Sequence, residues 1–122
     1  MDASHAETVL VVEDESLVRL DAAEGLREAG FDVVEAADAS EALEAVERRE
    51  DICAIFTDID MPGGMDGLEL ARRVSRSRPL MRLILTSGAV RVDARDIPEH
   101  GAFLSKPYST DAVASTIRRL LG

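Results

Sequence analysis

The chain has 122 residues, and its 24 Asp and Glu against 14 Lys and Arg give a formal net charge of −10. This length predicts one domain with a single core, and the acidity argues against nucleic acid as the main partner, because phosphate binding needs a basic face. The apolar runs are far shorter than the roughly 20 residues of a membrane span, so we expect no membrane partner, and with a single cysteine we take the cytoplasm as the default location.

The first two apolar runs are each followed by a stretch of helical periodicity. Residues 9–12 form the first run, and a helix is predicted over about 16–29, where Gly30 is placed to end it. Residues 33–34 form the second run, and a helix is predicted over about 40–48, with Asp38 or Ser40 as its N-cap. Both predicted helices carry an apolar stripe on one face.

The remaining three runs repeat this alternation. Residues 52–57 precede a helix that begins near Asp66 and that Pro79 stops. Residues 83–85 precede a weaker helix around 90–96, and residues 102–104 precede a helix that opens at Ser109 or Thr110. The first, third and fourth runs are apolar throughout, which is typical of strands covered on both faces of a parallel sheet.

A strand followed by a helix, repeated five times, predicts an α/β fold. We expect a five-stranded, doubly wound parallel sheet in a (βα)5, flavodoxin-like three-layer sandwich. Residues 8–122 would form this domain, and residues 1–7 would be an N-terminal extension. The single cysteine, Cys53, excludes an internal disulfide and a Cys-based zinc site. It lies in an apolar run, where we expect it to be buried.

The chemistry of the chain is concentrated where the strands end. In an open parallel sheet, ligands bind beyond the carboxyl ends of the strands, and four of the predicted strands are followed there by charged or hydroxyl side chains. These side chains are far apart in sequence, but the fold would bring them to one edge. In chain order they are Glu13, Asp14, Asp58, Asp60, Thr86, Ser87 and Lys106.

Closely packed carboxylates at this edge predict a cation site. Asp14 and Asp58 would lie on neighbouring strands, where their charges repel unless a cation is present. Oxygen ligands with several waters suit Mg²⁺ (or Mn²⁺), and the lack of His or Cys argues against zinc. With the ammonium of Lys106 and the hydroxyl of Thr86, the cation would neutralise a phosphoryl group. Asp58, at the end of the middle strand, is the candidate nucleophile.

Four segments carry a family resemblance. They are VVEDE at 11–15, FTDIDMPGGMDG at 56–67, LILTSG at 83–88 and FLSKPY at 103–108. With these segments in this order, each at a strand end, the chain resembles the receiver domain of two-component response regulators in its small, CheY-like, single-domain form. The resemblance covers about residues 8–121. It implies a phosphorylation-controlled switch in a phosphorelay and not a turnover enzyme, since the domain would catalyse only its own phosphorylation and dephosphorylation.

For the metal, the resemblance implies that Asp14 and Asp58 bind Mg²⁺ directly, that Glu13 acts through water, and that the backbone carbonyl of Asp60 is a further ligand. Glu13 stands where Asp is commoner in the family, and its extra methylene would shift the water-mediated contact. The segment with the pair Gly63–Gly64 is one residue longer than the common loop. This would leave the aspartate in place but change the loop over the site.

For the phosphoryl group, the resemblance implies that Asp58 is the phosphoacceptor and that Thr86, Ser87 and Lys106 bind its oxygens. Asp58, Thr86 and Lys106 would be the catalytic set. Phe103 matches the aromatic position whose rotamer couples to Thr86 and so acts as a switch, although a Tyr hydroxyl is missing here. A cis peptide bond after Lys106 is the habit of the family.

The resemblance also implies partners. The phosphoryl donor would be a sensor histidine kinase or a histidine phosphotransfer protein, and no nucleic acid would be bound directly. Because no output domain follows residue 122, we expect the signal to leave by protein–protein contact. The face formed by the fourth helix, the fifth strand and the fifth helix would make that contact.

Other functions use similar residues. A haloacid-dehalogenase-type phosphatase has an Asp nucleophile in the pattern found at Asp58–Asp60, but 122 residues leave no room for a substrate cap. A non-signalling, divalent-cation-binding interaction domain would keep the acids without the switch. A flavodoxin-like carrier needs a first loop that cradles phosphate, which acids there would repel.

A calcium loop of the EF-hand type is the remaining alternative. It would lack a side-chain ligand at Pro62, and it would need an entering helix where the sequence predicts a strand. The residues that fit the EF-hand template are Asp58, Asp60, Gly63, Asp66 and Glu69.

Overall fold

The computed structural model describes residues 6–88, 93–98 and 101–122. Its elements are, in chain order, β1 (Thr8–Val12), α1 (Ser16–Glu28), β2 (Asp32–Ala36), α2 (Ala39–Arg48), β3 (Ile52–Asp58), α3 (Gly67–Ser77), β4 (Arg82–Ser87), a 3₁₀ turn (Ala94–Asp96), β5 (Gly101–Ser105) and α4 (Thr110–Leu121). The strands form one parallel sheet of order β2-β1-β3-β4-β5, which confirms the predicted fold. The chain reverses its direction of winding between β1 and β3, which is where α/β sheets form their ligand crevices. Among the described residues, no helix is long and apolar enough to cross a bilayer.

Side chains alternate along each strand, so the sheet has an apolar cluster on each face. On the first face, Ile55 of β3 belongs to the same buried cluster as Leu70 of α3. On the second face, Phe56 of β3 is clustered with Leu26 of α1 and Ile117 of α4. Among the described residues, α2 and α3 cover the first face and α1 and α4 cover the second. Strand β1 is buried at every position, as its apolar sequence predicts.

Capping side chains define where most helices begin. Asp38 accepts a hydrogen bond from the backbone N–H of Glu41 at 2.8 Å, which selects it over the other predicted N-cap of α2. Ser109 likewise accepts one from the N–H of Ala112 at 3.1 Å and caps α4. Gly30 follows α1 with a φ of +104°, a conformation that favours glycine and ends the helix as predicted.

Strand β2 is longer than the apolar run that predicted it. The run covers residues 33–34, whereas the strand extends over Asp32–Ala36. The strand lies at an edge of the sheet and pairs with β1 alone. Its polar residues Asp32 and Glu35 are exposed, so the hydrophobic pattern covers only part of the strand.

Some sequence predictions fall on parts of the chain outside the described residues. The predicted fourth helix, around 90–96, includes residues 90–92, which are not described, and the described part of that stretch contains the short 3₁₀ turn. The predicted N-terminal extension falls mostly on residues 1–5, which are also outside the described ranges.

Cys53 is only partly buried, which corrects the expectation of a fully packed thiol. It is the second residue of β3, close to the edge of the sheet where the strands begin, so the apolar layer covers it incompletely. Its Sγ lies 3.3 Å from the Thr8 carbonyl oxygen and 3.3 Å from Oε2 of Glu7. Burial, together with the neighbouring Glu7 carboxylate, raises the pKa of the thiol to about 11.

We expect Cys53 to react with iodoacetamide about a hundredfold more slowly in the folded chain than in the urea-unfolded chain at pH 8. The thiolate is the nucleophile, and a pKa of about 11 in place of the ordinary value near 8.5 leaves few thiolates at that pH. The measurement is the intact mass over time. The unfolded chain is the control, because it carries the same single thiol. Folded and unfolded rates within tenfold of each other would contradict this expectation.

Candidate functional site

The polar side chains of the candidate site continue the alternation of the second face. Val11 and Phe56 belong to the apolar cluster of that face, and two residues further along the chain come Glu13, just after β1, and Asp58, the last residue of β3. Thr86 is the direct register partner of Asp58 on β4. These strands thus change from apolar to polar at their carboxyl ends. The polar residues lie beside the point between β1 and β3 where the direction of winding reverses.

Three carboxylates converge at this edge. One oxygen each from Glu13, Asp14 and Asp58 lies within 4.8 Å of the other two. Glu13 and Asp58 are each 5% exposed, whereas Asp14 is exposed. Asp14 lies just after β1 and Asp58 ends the neighbouring strand β3, so their carboxylates come close together as predicted, although Asp14 itself is outside the strand. Such a set of hard oxygen donors fits a divalent cation such as Mg²⁺, with room for water on the exposed side.

Asp58 has a protein donor at each carboxylate oxygen. Nζ of Lys106 donates to Oδ2 at 2.9 Å, and the backbone N–H of Asp60 donates to Oδ1 at 3.0 Å. Burial alone would lower the pKa of Lys106, but the hydrogen bond and charge of Asp58 outweigh it and raise that pKa. Lys106 is therefore an ammonium at neutral pH. The peptide bond that follows it is cis, as the resemblance implies.

The pKa of Glu13 reflects its burial and the carboxylates around it. Its pKa is raised to about 7, first by burial and further by Asp14 and the charge of Asp58. The backbone N–H of Glu15, which donates to Oε2 of Glu13 at 3.0 Å, opposes this rise. A divalent cation would stabilise the charged carboxylate instead of the protonated one, which is a second reason why the residues fit a metal.

Thr86 is 2% exposed, and its Oγ1 has no hydrogen-bond partner among the residues that the structure describes. Leaving a buried hydroxyl unsatisfied costs about 1–3 kcal/mol. Thr86 is the register partner of Asp58, so the unsatisfied hydroxyl belongs to a residue beside the carboxylate cluster. Thr57, which precedes Asp58 in β3, is also buried, but its hydroxyl has a partner because Oγ1 donates to the carbonyl oxygen of Asp58 at 3.0 Å.

Ser87 and Asp60 form a contact that sequence reasoning missed. Oγ of Ser87 donates to Oδ2 of Asp60 at 2.6 Å, which joins the end of β4 to the loop after β3. The expected role of Ser87 in binding phosphate stays a prediction, as does that of the Asp60 carbonyl in binding metal. The carboxylate of Asp60 accepts from Ser87, and this bond holds the loop after β3 against the end of β4.

Phe103 lies on the neighbouring strand β5, where it is the register partner of Leu85 while Thr86 pairs with Leu104. Its ring is partly buried and packs against the apolar cluster of the first face. The coupling of Phe103 to Thr86 stays a prediction.

Gly67 and Tyr108 also shape the site, and the sequence did not single them out for it. A Cβ on Gly67 would lie 2.3 Å from the carbonyl oxygen of Asp58, so α3 begins against the backbone of the candidate nucleophile. Tyr108 packs edge-on against Phe56 with ring centroids 5.1 Å apart. Burial, and then the charge of Glu13, raises the pKa of Tyr108.

Comparisons with known proteins agree with this geometry. Residues 9–118 match the family model described as the response regulator receiver domain. The chain is 37% identical over 124 residues to the sensor kinase CckA of Brucella abortus, a match that covers 98% of this chain and 13% of that protein. It is 30% identical over 116 residues to the response regulator receiver protein CpdR of the same organism, covering 93% of this chain and 95% of CpdR.

A solved structure gives the same fold. The response regulator receiver protein of Sinorhizobium medicae WSM419 superposes with a TM-score of 0.89 at 27% identity, over 96% of this chain and 95% of that one. The similarity therefore covers nearly all of this chain. It includes the strand ends that carry the converging carboxylates.

Proposed function

Because the chain belongs to the response regulator receiver family, we propose that Asp58 accepts a phosphoryl group from a phosphohistidine and that the domain changes its protein contacts in response. Receiver domains are switches of two-component phosphorelays rather than turnover enzymes. A phosphatase, a calcium loop and a flavodoxin-like carrier are not favoured, and β3 enters the acidic loop where an EF-hand would need a helix. We propose that the receiver domain spans residues 8–122, after an extension of residues 1–7.

The observation that carries this proposal is the set of groups around Asp58. A carboxylate oxygen of Asp58 would attack the phosphorus of the donor in line, the P–N bond would break, and the imidazole would leave with its electron pair. Lys106, already 2.9 Å from Asp58, would pair with a phosphoryl oxygen. The hydroxyl of Thr86, which has no partner among the described residues, would donate to another, with Ser87 as a further phosphate-binding group.

Glu13, Asp14, Asp58 and the backbone carbonyl of Asp60 are the groups that we propose hold Mg²⁺ or Mn²⁺. A bound divalent cation would supply charge that neutralises the phosphoryl oxygens as they approach the carboxylates. The protein's own part is to hold the carboxylates within reach of one another and to hold Asp58 beside the ammonium of Lys106. The domain would in this sense catalyse its own phosphorylation and dephosphorylation.

The response would begin at Thr86 and leave through β5. We propose that Thr86 moves toward the phosphoryl group, that Phe103 follows, and that the face made by the β4–β5 connection, β5 and α4 changes its contacts with a downstream protein. The donor would be a histidine kinase or a phosphotransfer protein. We propose a cytoplasmic site for this exchange, where an unpaired cysteine stays reduced.

Incubation with acetyl phosphate and Mg²⁺, followed by intact mass, tests the phosphoacceptor. We expect one phosphoryl adduct on the wild type, and none on Asp58→Asn or after chelation of the metal. Asp60→Asn is the matched control, since it removes a neighbouring carboxylate that is not the acceptor, and it should keep the adduct. An adduct that persists in Asp58→Asn, or a wild type that never acquires one, would refute the proposal. Turnover of small phosphomonoesters would instead support the phosphatase.

A further inference from the structure

The loop between β1 and α1 carries the two acids that flank Asp58, and its first N–H, that of Glu13, donates to the carbonyl of Ala36 on β2 at 3.1 Å. Helix α1 begins at Ser16 without a side-chain cap. The carboxylate of Glu13 accepts from the N–H of Glu15 at 3.0 Å and interacts with the side chain of Asp14, which is exposed. The peptide group between the two acids sets the direction in which each side chain leaves the backbone.

Arg19 contacts that peptide group directly. Its Nη1 donates to the carbonyl oxygen of Glu13 at 2.9 Å. This carbonyl belongs to the planar unit that joins Glu13 to Asp14, so the hydrogen bond fixes the plane of the unit. On its other side, Nε of Arg19 is 3.3 Å from Oε1 of Glu35 on β2.

We propose that Arg19 is a positioning residue that presents Glu13 and Asp14 to a divalent cation, with Glu35 as its anchor. The inference rests on the function proposed above and adds a residue that lies outside the ligand set. The planar guanidinium can donate to the carbonyl and the carboxylate at once, which the single ammonium of a lysine cannot do in the same geometry. The edge strand β2, which has no residue in the site, thereby supports it.

Arg27 provides a matched control within the same ion-pair group. It also pairs with Glu35, at 3.4 Å, but its other hydrogen bond goes to the carbonyl of Val33 and not to the acidic loop. Arg19→Met and Arg27→Met each remove one positive charge near the carboxylates. By electrostatics alone, either change would strengthen cation binding. A weaker cation affinity in Arg19→Met would therefore come from lost positioning.

The test is a titration with Mn²⁺, in which electron paramagnetic resonance measures the free ion. We expect Arg19→Met to weaken Mn²⁺ binding about tenfold, the size seen when partners of metal ligands are removed, and Arg27→Met to change it less than twofold. Arg19→Lys, which keeps the charge and one donor nitrogen but loses the planar fork, should fall between Arg19→Met and the wild type. Urea unfolding of each variant without metal shows whether any loss of affinity merely follows stability.

The possible results separate this inference from the proposed function. If the wild type binds Mn²⁺ and forms the Asp58 adduct while Arg19→Met binds Mn²⁺ equally well, the positioning role alone is wrong. Equal weakening in Arg19→Met and Arg27→Met would also overturn it, because only one of them contacts the loop. If the wild type binds no Mn²⁺ and forms no adduct, the proposed function fails and the positioning role fails with it.

Discussion

Gly67→Ala is expected to destabilise the domain by about 3 kcal/mol or more, because overpacking against rigid backbone is among the costliest substitutions. A Cβ at this position would lie 2.3 Å from the carbonyl oxygen of Asp58 and 2.8 Å from Cα of Ile59. Both are backbone atoms at the end of a central strand, so neither can move aside as a flexible side chain would. The N–H of Gly67 also donates to the carbonyl of Ile59 at 3.1 Å, a bond that the displaced helix start would strain.

Urea denaturation of the wild type and of Gly67→Ala measures this loss of stability. Gly64→Ala is the control, since a Cβ there would meet nothing within 4 Å, and it should change the free energy of unfolding by less than about 1 kcal/mol. The shift of the backbone under Asp58 should also slow formation of the acetyl phosphate adduct in Gly67→Ala but not in Gly64→Ala. Equal stability of the two variants would show that the start of α3 yields easily, contrary to this expectation.

Much of the site followed from the sequence because strand ends in a parallel sheet share one edge. The apolar runs located β1, β3 and β4, and the residues after them could then be matched without knowing any distance. The convergence of Glu13, Asp14 and Asp58 and the ion pair of Asp58 with Lys106 are consequences of that geometry. They depend on topology and register, which hydrophobic patterns specify well.

Contacts made by loops and by long side chains were not predictable in the same way. The bond between Ser87 and Asp60 and the approach of α3 to Asp58 depend on how one loop folds over the sheet. No sequence pattern distinguishes Arg19 as a site residue, since an arginine on a helix that faces solvent usually serves solubility. Its role depends on where the side chain ends, 2.9 Å from a backbone carbonyl, and no sequence pattern encodes that distance.

Thr86→Val is expected to stabilise the unphosphorylated domain by about 1 kcal/mol while weakening its response to phosphorylation. The side chains have the same shape, and the change removes a hydroxyl that is buried without a partner among the described residues. Thr57→Val is the matched control on the neighbouring strand. There the hydroxyl donates to the carbonyl of Asp58 at 3.0 Å, so the same chemical change should cost about 1 kcal/mol. Urea denaturation should therefore give opposite signs for two identical substitutions.

Phosphorylation should cancel the stability advantage of Thr86→Val. With acetyl phosphate and Mg²⁺ present, the wild type gains a partner for Oγ1 and the variant does not, so phosphorylation should stabilise the wild type more by about 1 kcal/mol, the net value of one hydrogen bond. The variant should still form the adduct on Asp58, which intact mass shows. Fluorescence of Tyr108, the single tyrosine of the chain, reports the change beyond β5 and should respond less in the variant. A stability loss in Thr86→Val before phosphorylation would mean that its hydroxyl is already satisfied, and it would remove the reason to assign that hydroxyl to the phosphoryl group.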